Sequence, residues 1–381
     1  MKIGINLLAI NPGISGGIEY YAFNLIDALS KIDFLNEYYV FLNRESFGKT
    51  KCKADNFHLI NINVDGQNKI GRIVYEQIYF PIIAVKFKLK VLHSLTYTWP
   101  VLANVAGLVT ICDMLYKTYP GFISYPKLVF WRFLVPISVY RCRKVLTISE
   151  NSKKEIIKNL RIEPNKILVT PLALDKELAN TDRASDVEIA RTCEKYCIRR
   201  PYFLNVGGIG EHKNPLLLVK GLKQVHGLPE MRDISLVITG RDYGARNAIE
   251  EMVKSLGLKD YVCLPGYVSR QDLPAIYSGA FAYVSPSYYE GFGLTILEAM
   301  GFGTPVIASG ETAIPEVAGG AAILIKPNDS EQLAEFLYKI RMNEGIRNKL
   351  VMRGYERVKE FSWEKCARLT MEAYEQAAKK I

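Results

Sequence analysis

The chain has 381 residues, of which 49% are apolar and 23% are charged, and this composition is typical of a folded globular protein and excludes a disordered one. The length predicts two domains. A net charge of +10 favours an anionic partner such as a nucleic acid, a phosphorylated small molecule or an acidic membrane surface. The start of the chain does not look like a signal peptide, and seven scattered cysteines predict reduced thiols and a cytoplasmic location.

The first half of the chain alternates short apolar runs with helical patterns. Apolar residues recur at helical spacing between positions 18 and 29, directly after the first run. Many of the runs are continuous, as expected for strands that helices cover on both faces. Strands are predicted at 2–8, 38–42, 58–62, 91–94, 108–111 and 145–148.

A polar stretch at 175–186 is the predicted linker, and a helix to about residue 197 follows it. The alternation then restarts, with strands predicted at 202–206, 235–239, 261–264, 281–285, 305–308 and 322–325. Two successive β-α series predict an α/β protein with two Rossmann-like, doubly wound parallel sheets that face a cleft. The predicted domains are 1–180 and 181–362, and the final helix at 363–381 is expected to pack back toward the first domain.

Ligands of such sheets bind beyond the carboxyl ends of the strands, and the segment at 285–300 follows a predicted strand there. Glu290 lies in the loop before a predicted helix, and Glu298 lies within that helix. Free N–H groups at the start of a helix suit an anion, and flanking carboxylates suit the hydroxyls of a sugar nucleotide. The alternative is a tight turn with two solvated glutamates. The turn also contains Gly291, Gly293, Leu294 and Thr295.

The segment at 289–309, together with 266–277 and 314–319, resembles the signature of the family 4 retaining glycosyltransferases, which have the GT-B fold. The resemblance runs from about residue 202 to residue 328. It implies that Glu290 contacts the donor sugar and that Glu298 contacts the ribose. It also implies that Tyr267 and Val268 border the nucleobase. The diphosphate would meet the backbone of Phe292, Gly293, Leu294 and Thr295.

The loop that ends at Lys213 resembles the basic phosphate loop of the family, so Lys213 is expected to neutralise the departing nucleoside diphosphate. The family often has a second basic residue just after the strand, where this chain has Gly207 and Gly208. Phosphate binding would then depend more on Lys213, or would also use Arg241. No D-x-D motif occurs in the sequence, so neither a divalent metal nor another cofactor is predicted.

In the first half, Gly16 and Gly17 do not form a dinucleotide-binding fingerprint but resemble the N-terminal glycine loop of the family, which approaches the donor phosphate. Cys112 stands where many relatives have a histidine against the reacting sugar. Two interpretations follow: Asp113 supplies the polar contact instead, or turnover is impaired. The predicted catalytic residues are Glu290, Lys213 and Asp113.

The resemblance implies transfer of a hexosyl unit, with retention, from a nucleoside diphosphate sugar to a saccharide or lipid-linked acceptor in cell-surface polysaccharide synthesis. The alternatives are a sugar-nucleotide epimerase and a catalytically silent donor-binding subunit. Nucleic acid is not an expected partner, because no nucleic-acid-binding module is present. The basic, aromatic stretches at 79–90 and 125–144 predict either contact with a membrane surface or buried elements with snorkelling lysines.

Overall fold

The computed structural model describes residues 1–50, 52–179 and 181–379. The chain divides into two compact units: unit 1 comprises Met1–Leu172 and Ser362–Ile381, and unit 2 comprises Ala173–Phe361. Asn180, at the end of the predicted first domain, and Lys380 and Ile381, at the end of the predicted final helix, lie outside the described residues.

The strands are short and mostly buried, as their continuous apolar runs predict. They are β1 (Lys2–Asn6), β2 (Glu37–Leu42), β3 (Phe57–Asn61), β4 (Val91–Ser94), β5 (Ala106–Thr110), β6 (Lys144–Thr147), β7 (Ile167–Val169), β8 (Tyr202–Val206), β9 (Ser235–Thr239), β10 (Val262–Gly266), β11 (Ala282–Ser285), β12 (Val306–Ser309) and β13 (Ala322–Ile325).

Helices connect most of the successive strands. They are α1 (Gly17–Ile32), α2 (Lys69–Lys86), α3 (Leu115–Thr118), α4 (Tyr125–Arg141), α5 (Glu150–Leu160), α6 (Lys176–Ala179), α7 (Asp186–Lys195), α8 (Pro215–His226), α9 (Arg246–Ser255), α10 (Leu273–Ser278), α11 (Leu294–Gly301), α12 (Ile314–Ala318), α13 (Ser330–Met342), α14 (Glu344–Lys359) and α15 (Trp363–Ala378).

Each unit contains one parallel sheet. The order in unit 1 is β3-β2-β1-β4-β5-β6-β7, and the order in unit 2 is β10-β9-β8-β11-β12-β13. The direction of winding reverses between β1 and β4 in unit 1 and between β8 and β11 in unit 2, which is the switch point where ligands of open α/β sheets bind. The prediction of two Rossmann-like, doubly wound parallel sheets is confirmed.

The strand β7 was missed by the sequence analysis, because three residues are too few to show a periodicity. The other strands begin and end within two residues of the predicted positions. The helix predicted between the linker and β8 is α7, and its start is set by a capping box in which Ser185 and Glu188 satisfy each other's backbone N–H groups.

The final helix α15 belongs to unit 1. Its first residue, Trp363, stacks on Tyr21 of α1 with ring centroids 6.5 Å apart. Near its end, the hydroxyl of Tyr374 lies 2.9 Å from Nδ1 of His93 on β4, and Arg143 donates to the carbonyl of Ala377 at 2.8 Å. Aromatic packing and hydrogen bonds therefore attach both ends of this helix to the core of the first sheet.

The linker itself belongs to unit 2 from Ala173 onward, whereas the sequence analysis assigned residues 173–180 to the first domain. Asp175 forms an ion pair with Arg270, and Arg270 Nε also lies 3.6 Å from Glu177 Oε2. These contacts tie the start of the linker to the segment after β10. A polar composition alone could not show them.

Candidate functional site

The carboxyl ends of β8 and β11 lie side by side at the switch point of unit 2. The loop after β8 contains a short 3-10 helix, Glu211–Lys213. Asn214 follows in the left-handed conformation, with φ of 54°, and Pro215 then begins α8. Lys213 therefore lies at the end of the loop, two residues before Pro215, and a proline in this first position favours a helix start.

The loop after β8 is tied to the loop after β11 by hydrogen bonds. The Asn214 side chain donates to the carbonyl of Pro286 in that loop at 3.2 Å, and also to the carbonyl of Pro327, after β13, at 2.5 Å. The backbone N–H of Tyr288 donates to the carbonyl of His212 at 2.9 Å. Because the Asn214 side chain is buried, these bonds are shielded from water and hold the two loops in one arrangement.

Lys213 and Glu290 form an ion pair within this frame. The Lys213 ammonium donates to both carboxylate oxygens of Glu290, at 2.6 and 2.7 Å. Ser287 Oγ donates to Glu290 Oε1 at 2.8 Å, and the Glu290 backbone N–H donates to Thr312 Oγ1 at 3.1 Å. The structure therefore brings together the two residues that the sequence analysis placed at the donor phosphate and at the donor sugar.

His212 precedes Lys213, and its imidazole is neutral near pH 7. Burial and, to a smaller extent, the charge of Lys213 lower the pKa of His212 to about 4, although Glu290 opposes that shift. Since a neutral imidazole adds no positive charge, Lys213 supplies the cation of this loop. A diphosphate that enters would compete with Glu290 for the ammonium group.

The turn after Glu290 leads directly into α11. Gly293 caps this helix with φ of 103°, a conformation that residues with a side chain rarely adopt. The Phe292 side chain is buried and packs edge-on against Phe361, with centroids 5.7 Å apart. The first N–H groups of a helix have no acceptor within it, so the start of α11 offers amides and a positive dipole end to an anion.

Glu298 lies further along α11, and its carboxyl group is buried. Tyr277 donates to Glu298 Oε2 at 2.7 Å. The pKa of Glu298 is raised to about 7, mainly by burial and also by the charge of Asp175, although the Tyr277 hydrogen bond and the charge of Arg270 oppose the rise. The alternative of a solvated glutamate is therefore wrong for Glu298, because the side chain is enclosed. Its contact with ribose stays a prediction.

The backbone after β8 packs closely against the backbone after β9. A Cβ atom on Gly240 would lie 1.4 Å from the carbonyl oxygen of Gly207, so only glycine fits at this position. The N–H of Gly207 donates to the carbonyl of Thr239 at 3.0 Å. Gly208 is less constrained, because a Cβ there would lie 2.7 Å from the ring of Tyr243, and this ring is exposed and can move.

Two further predicted residues meet beside this backbone. The guanidinium of Arg241 lies over the ring of Tyr267, 5.3 Å from its centroid, and the Tyr267 ring is exposed while Val268 is buried. An exposed ring that carries a cation on one face offers a stacking surface and a positive charge. Arg241 is thus placed with the predicted nucleobase residue.

The remaining predicted residues lie in unit 1. Gly16 caps α1 with φ of 59°, and Gly17 is the first residue of that helix. The carboxylate of Asp113 accepts a hydrogen bond from the backbone N–H of Leu115 at 3.0 Å. Burial, together with the nearby charge of Asp113, raises the pKa of the Cys112 thiol, which favours the protonated form over the nucleophilic thiolate.

The sequence analysis missed several side chains that support the site. Ser287 and Thr312 hold Glu290, Tyr277 and Arg270 set the environment of Glu298, and His212 is buried beside Lys213. Ser287 lies just after β11, and this position could have identified it from the sequence, since polar residues at strand ends are candidates for a binding site. Thr312, Tyr277 and Arg270 come from other parts of the sequence, and only the fold brings them to the glutamates.

Comparison with known proteins finds similarity to glycosyltransferases, in agreement with the resemblance seen in the sequence. Residues 198–357 match the family model described as glycosyl transferases group 1. A relative from Escherichia coli named O-antigen chain mannosyltransferase B is 32% identical over 241 residues, which cover 62% of this chain and 61% of the relative. The O-antigen chain mannosyltransferase RfbU of Salmonella typhimurium is 34% identical over 251 residues, or 65% of this chain and 64% of the relative. The chain thus matches under two thirds of the length of these relatives.

Among solved structures, a glycosyltransferase from Rickettsia africae has a TM-score of 0.75 to this chain. It is 20% identical, and the alignment covers 100% of this chain and 99% of that one. At this level of identity the likeness establishes the fold alone. The fold is GT-B, as the sequence analysis predicted.

Proposed function

We propose that the protein transfers a hexosyl unit from a nucleoside diphosphate sugar to a hydroxyl of a saccharide or glycolipid, and the match of residues 198–357 to the family model described as glycosyl transferases group 1 supports this proposal. The donor would bind unit 2, and the acceptor would bind unit 1. The anomeric configuration would be retained, and neither a metal nor another cofactor would take part.

One observation carries this proposal. At the switch point of the second sheet, the ammonium of Lys213 lies 2.6 Å from a carboxylate oxygen of Glu290, and Glu290 is three residues before Gly293, which caps α11. A cation and a helix start suit a diphosphate, and a carboxylate suits sugar hydroxyls. The cation, the helix start and the carboxylate all occur in the loops after β8 and β11.

The proposed chemistry assigns each group a task. Lys213 and the amides at the start of α11 stabilise the charge that develops on the diphosphate as the bond from the anomeric carbon to the phosphate oxygen breaks. The acceptor oxygen forms the new bond to the same carbon on the same face, and its proton passes to the leaving phosphate. Glu290, released from Lys213, accepts hydrogen bonds from sugar hydroxyls and orients the sugar.

The transferred sugar is proposed to be mannose, and the product is proposed to be a cell-surface polysaccharide. Both relatives described above are named as O-antigen chain mannosyltransferases, which supports this choice. The reaction would take place in the cytoplasm.

A second candidate function is donor binding without catalysis. It is favoured by Cys112, since a thiol with a raised pKa is a weaker hydrogen-bond donor than the histidine that the family often has there. Asp113 lies next to it, and we propose that its carboxylate supplies the polar contact instead.

The experiment that tests the proposal uses Glu290→Ala. Purified wild type and variant are incubated with radiolabelled nucleotide sugars, including GDP-mannose, and both donor hydrolysis and transfer to lipid-linked saccharides are measured. Glu211→Gln, on an exposed residue of the same loop, is the matched control and should keep wild-type rates. Unchanged turnover by Glu290→Ala would refute the assignment, and donor binding without transfer by the wild type would favour the silent subunit.

A further inference from the structure

The positive charge of the chain is concentrated in one stretch of unit 1. Residues 66–149 contain eleven lysines and arginines and two acidic residues, a net charge of +9 out of the +10 of the whole chain. The two acids are Glu76, which is buried against Arg72, and Asp113. The exposed side chains of α2 and α4, which lie in this stretch, therefore include no carboxylate.

The outer face of α2 is apolar. Its exposed apolar residues are spaced by three or four positions, which places them in one stripe along the helix. Each is at least half exposed, although an amphipathic helix normally turns this stripe to the core. The stripe consists of Ile70, Val74, Ile78, Ile82 and Val85. Lys86, Lys88 and Lys90 are exposed and follow at its carboxyl end.

The outer face of α4 repeats this arrangement. Its exposed apolar residues have the same spacing of three or four positions and are between 36% and 77% exposed. They are Tyr125, Val129, Phe133, Ile137 and Tyr140. Arg132 and Arg141, on the same helix, are exposed beside the stripe.

The two stripes lie on one side of the first sheet. The connections β3-α2-β4 and β5-α4-β6 run in the same direction across the strand order, and right-handed crossovers in the same direction place their helices on the same face. The inner sides of both helices join one hydrophobic cluster, to which α2 contributes Phe80 and α4 contributes Val135.

The loop between β4 and β5 bridges the two helices. Gln77 of α2 donates to the carbonyl of Trp99 at 3.2 Å and accepts from the N–H of Val101 at 3.0 Å. From the other side, Arg141 of α4 donates to the carbonyl of Val101 at 3.0 Å. Leu102, next along this loop, is 73% exposed. The stripes and Leu102 thus form one apolar surface with a basic border, which we call the α2–α4 face.

We infer that the α2–α4 face docks on the surface of an anionic lipid bilayer. The apolar side chains would enter the boundary between headgroups and acyl chains, and the lysines and arginines would contact lipid phosphates. Interfacial helices of this kind combine an apolar stripe with basic residues beside it. Among the described residues, no helix has the length and hydropathy needed to cross a membrane.

Charge decides between a bilayer and a second copy of this chain as the occupant of the face. Two α2–α4 faces in contact would oppose like charges, since the stretch that contains them has a net charge of +9, and such contacts are unfavourable. An anionic bilayer meets the same charge with attraction. The inference is independent of the catalytic assignment, because it concerns residues outside the candidate site.

Vesicle co-sedimentation tests the inference. The full chain is mixed with vesicles of equal parts phosphatidylglycerol and phosphatidylcholine, or of phosphatidylcholine alone, and the bound fraction is measured at low and high salt. We expect binding to the anionic vesicles and weaker binding at high salt. A stripe variant should bind about 100-fold more weakly. It carries Ile78→Ser, Ile82→Ser, Phe133→Ser and Ile137→Ser.

A matched variant changes the same number of exposed apolar residues elsewhere, and it should bind like the wild type. It carries Phe34→Ser, Leu35→Ser, Val187→Ser and Met352→Ser. Circular dichroism melting of both variants separates a loss of binding from a loss of folding. Wild-type protein that stays in the supernatant with anionic vesicles at low salt overturns the inference. Equal binding by the stripe variant and the wild type, or a dimer that only the stripe variant abolishes, also overturns it.

Discussion

The two sheets of this molecule have the same winding and use their switch points differently. In unit 2 the charged pair at the switch point is accessible, with the side chain of Lys213 24% exposed. In unit 1 the ends of β1 and β4 are closed, since Asn6 and Ser94 are buried, and Glu76 in its ion pair with Arg72 is 1% exposed. Topology therefore indicates where a ligand can bind, and the local side chains decide whether one does.

The largest effect is expected from Lys213→Met. The change removes the cation that faces the departing diphosphate, so kcat should fall about 1,000-fold while the melting temperature changes little, since the lysine is partly exposed. Steady-state transfer kinetics check this, and Lys220→Met, on an exposed residue of α8, is the control. A Lys213→Met variant with the wild-type kcat would show that the cation at the switch point of unit 2 does not act in catalysis.

The corresponding change in unit 1 is Arg72→Met, which should act on stability. It leaves the buried carboxyl of Glu76 without its ion-pair partner at 3.2 Å, and breaking a buried pair costs about 3 kcal/mol. Burial already raises the pKa of Glu76, so the variant should be most destabilised at high pH, where this carboxyl must ionise. Urea unfolding at several pH values measures this. An unfolding free energy equal to that of the wild type would show that the pair is not structural.

Gly293→Ala tests the turn that begins α11. At φ of 103° a side chain is strained, and the new Cβ would lie 3.2 Å from Ile296 Cδ1, so a loss of about 2 kcal/mol in unfolding free energy is expected. Gly227→Ala is the control, because Gly227 has φ of −68° and open space around it. The control should be neutral or slightly stabilising. Similar losses in both variants would contradict the role given to the turn.

A smaller effect is expected from pH acting on Glu298. Its pKa is raised from an ordinary 4.5 to about 7, so the carboxyl group loses its proton between pH 6 and pH 8. Only the ionised form can accept hydrogen bonds with both oxygens. Donor affinity should then rise about tenfold between pH 6 and pH 8, as measured by calorimetry. Glu298→Gln should abolish this dependence, whereas Glu298→Asp should keep it. A flat profile for the wild type would show that the charge of Glu298 does not affect donor binding.

The same raised pKa has a consequence for stability with a definite sign. Between pH about 4.5 and about 7 the folded state keeps a proton on Glu298 that the unfolded state has lost, so the unfolding free energy falls as the pH rises through this window. Arg270 lowers the pKa of Glu298. Arg270→Gln should therefore move the upper end of the window to higher pH.

The sequence predicted the parts of this structure that depend on local pattern. Continuous apolar runs predicted nearly all the strands, and the loops after β8 and β11 indicated Lys213 and Glu290, because the carboxyl ends of parallel strands meet at one edge of a sheet. These inferences need only the order of residues along the chain.

The sequence could not predict features that depend on contacts between distant segments. Glu298 accepts a hydrogen bond from Tyr277 and feels the charge of Arg270, and the start of the linker is paired with Arg270 through Asp175. The sequence also could not predict that an apolar stripe of α2 is exposed, because this helix has apolar residues on both sides, for example buried Phe80 and exposed Ile82. Such a pattern does not show which side packs on the sheet.

The central claim is that the Lys213–Glu290 loop pair binds a nucleoside diphosphate, and a crystal structure of the protein with GDP or UDP tests it most directly. We expect phosphate oxygens within hydrogen-bond distance of Lys213 Nζ and of the amides of Leu294 and Thr295, with Lys213 drawn away from the Glu290 carboxylate, which it contacts at 2.6 Å in the structure described above. A nucleotide bound elsewhere, with Lys213 still paired to Glu290, would contradict it.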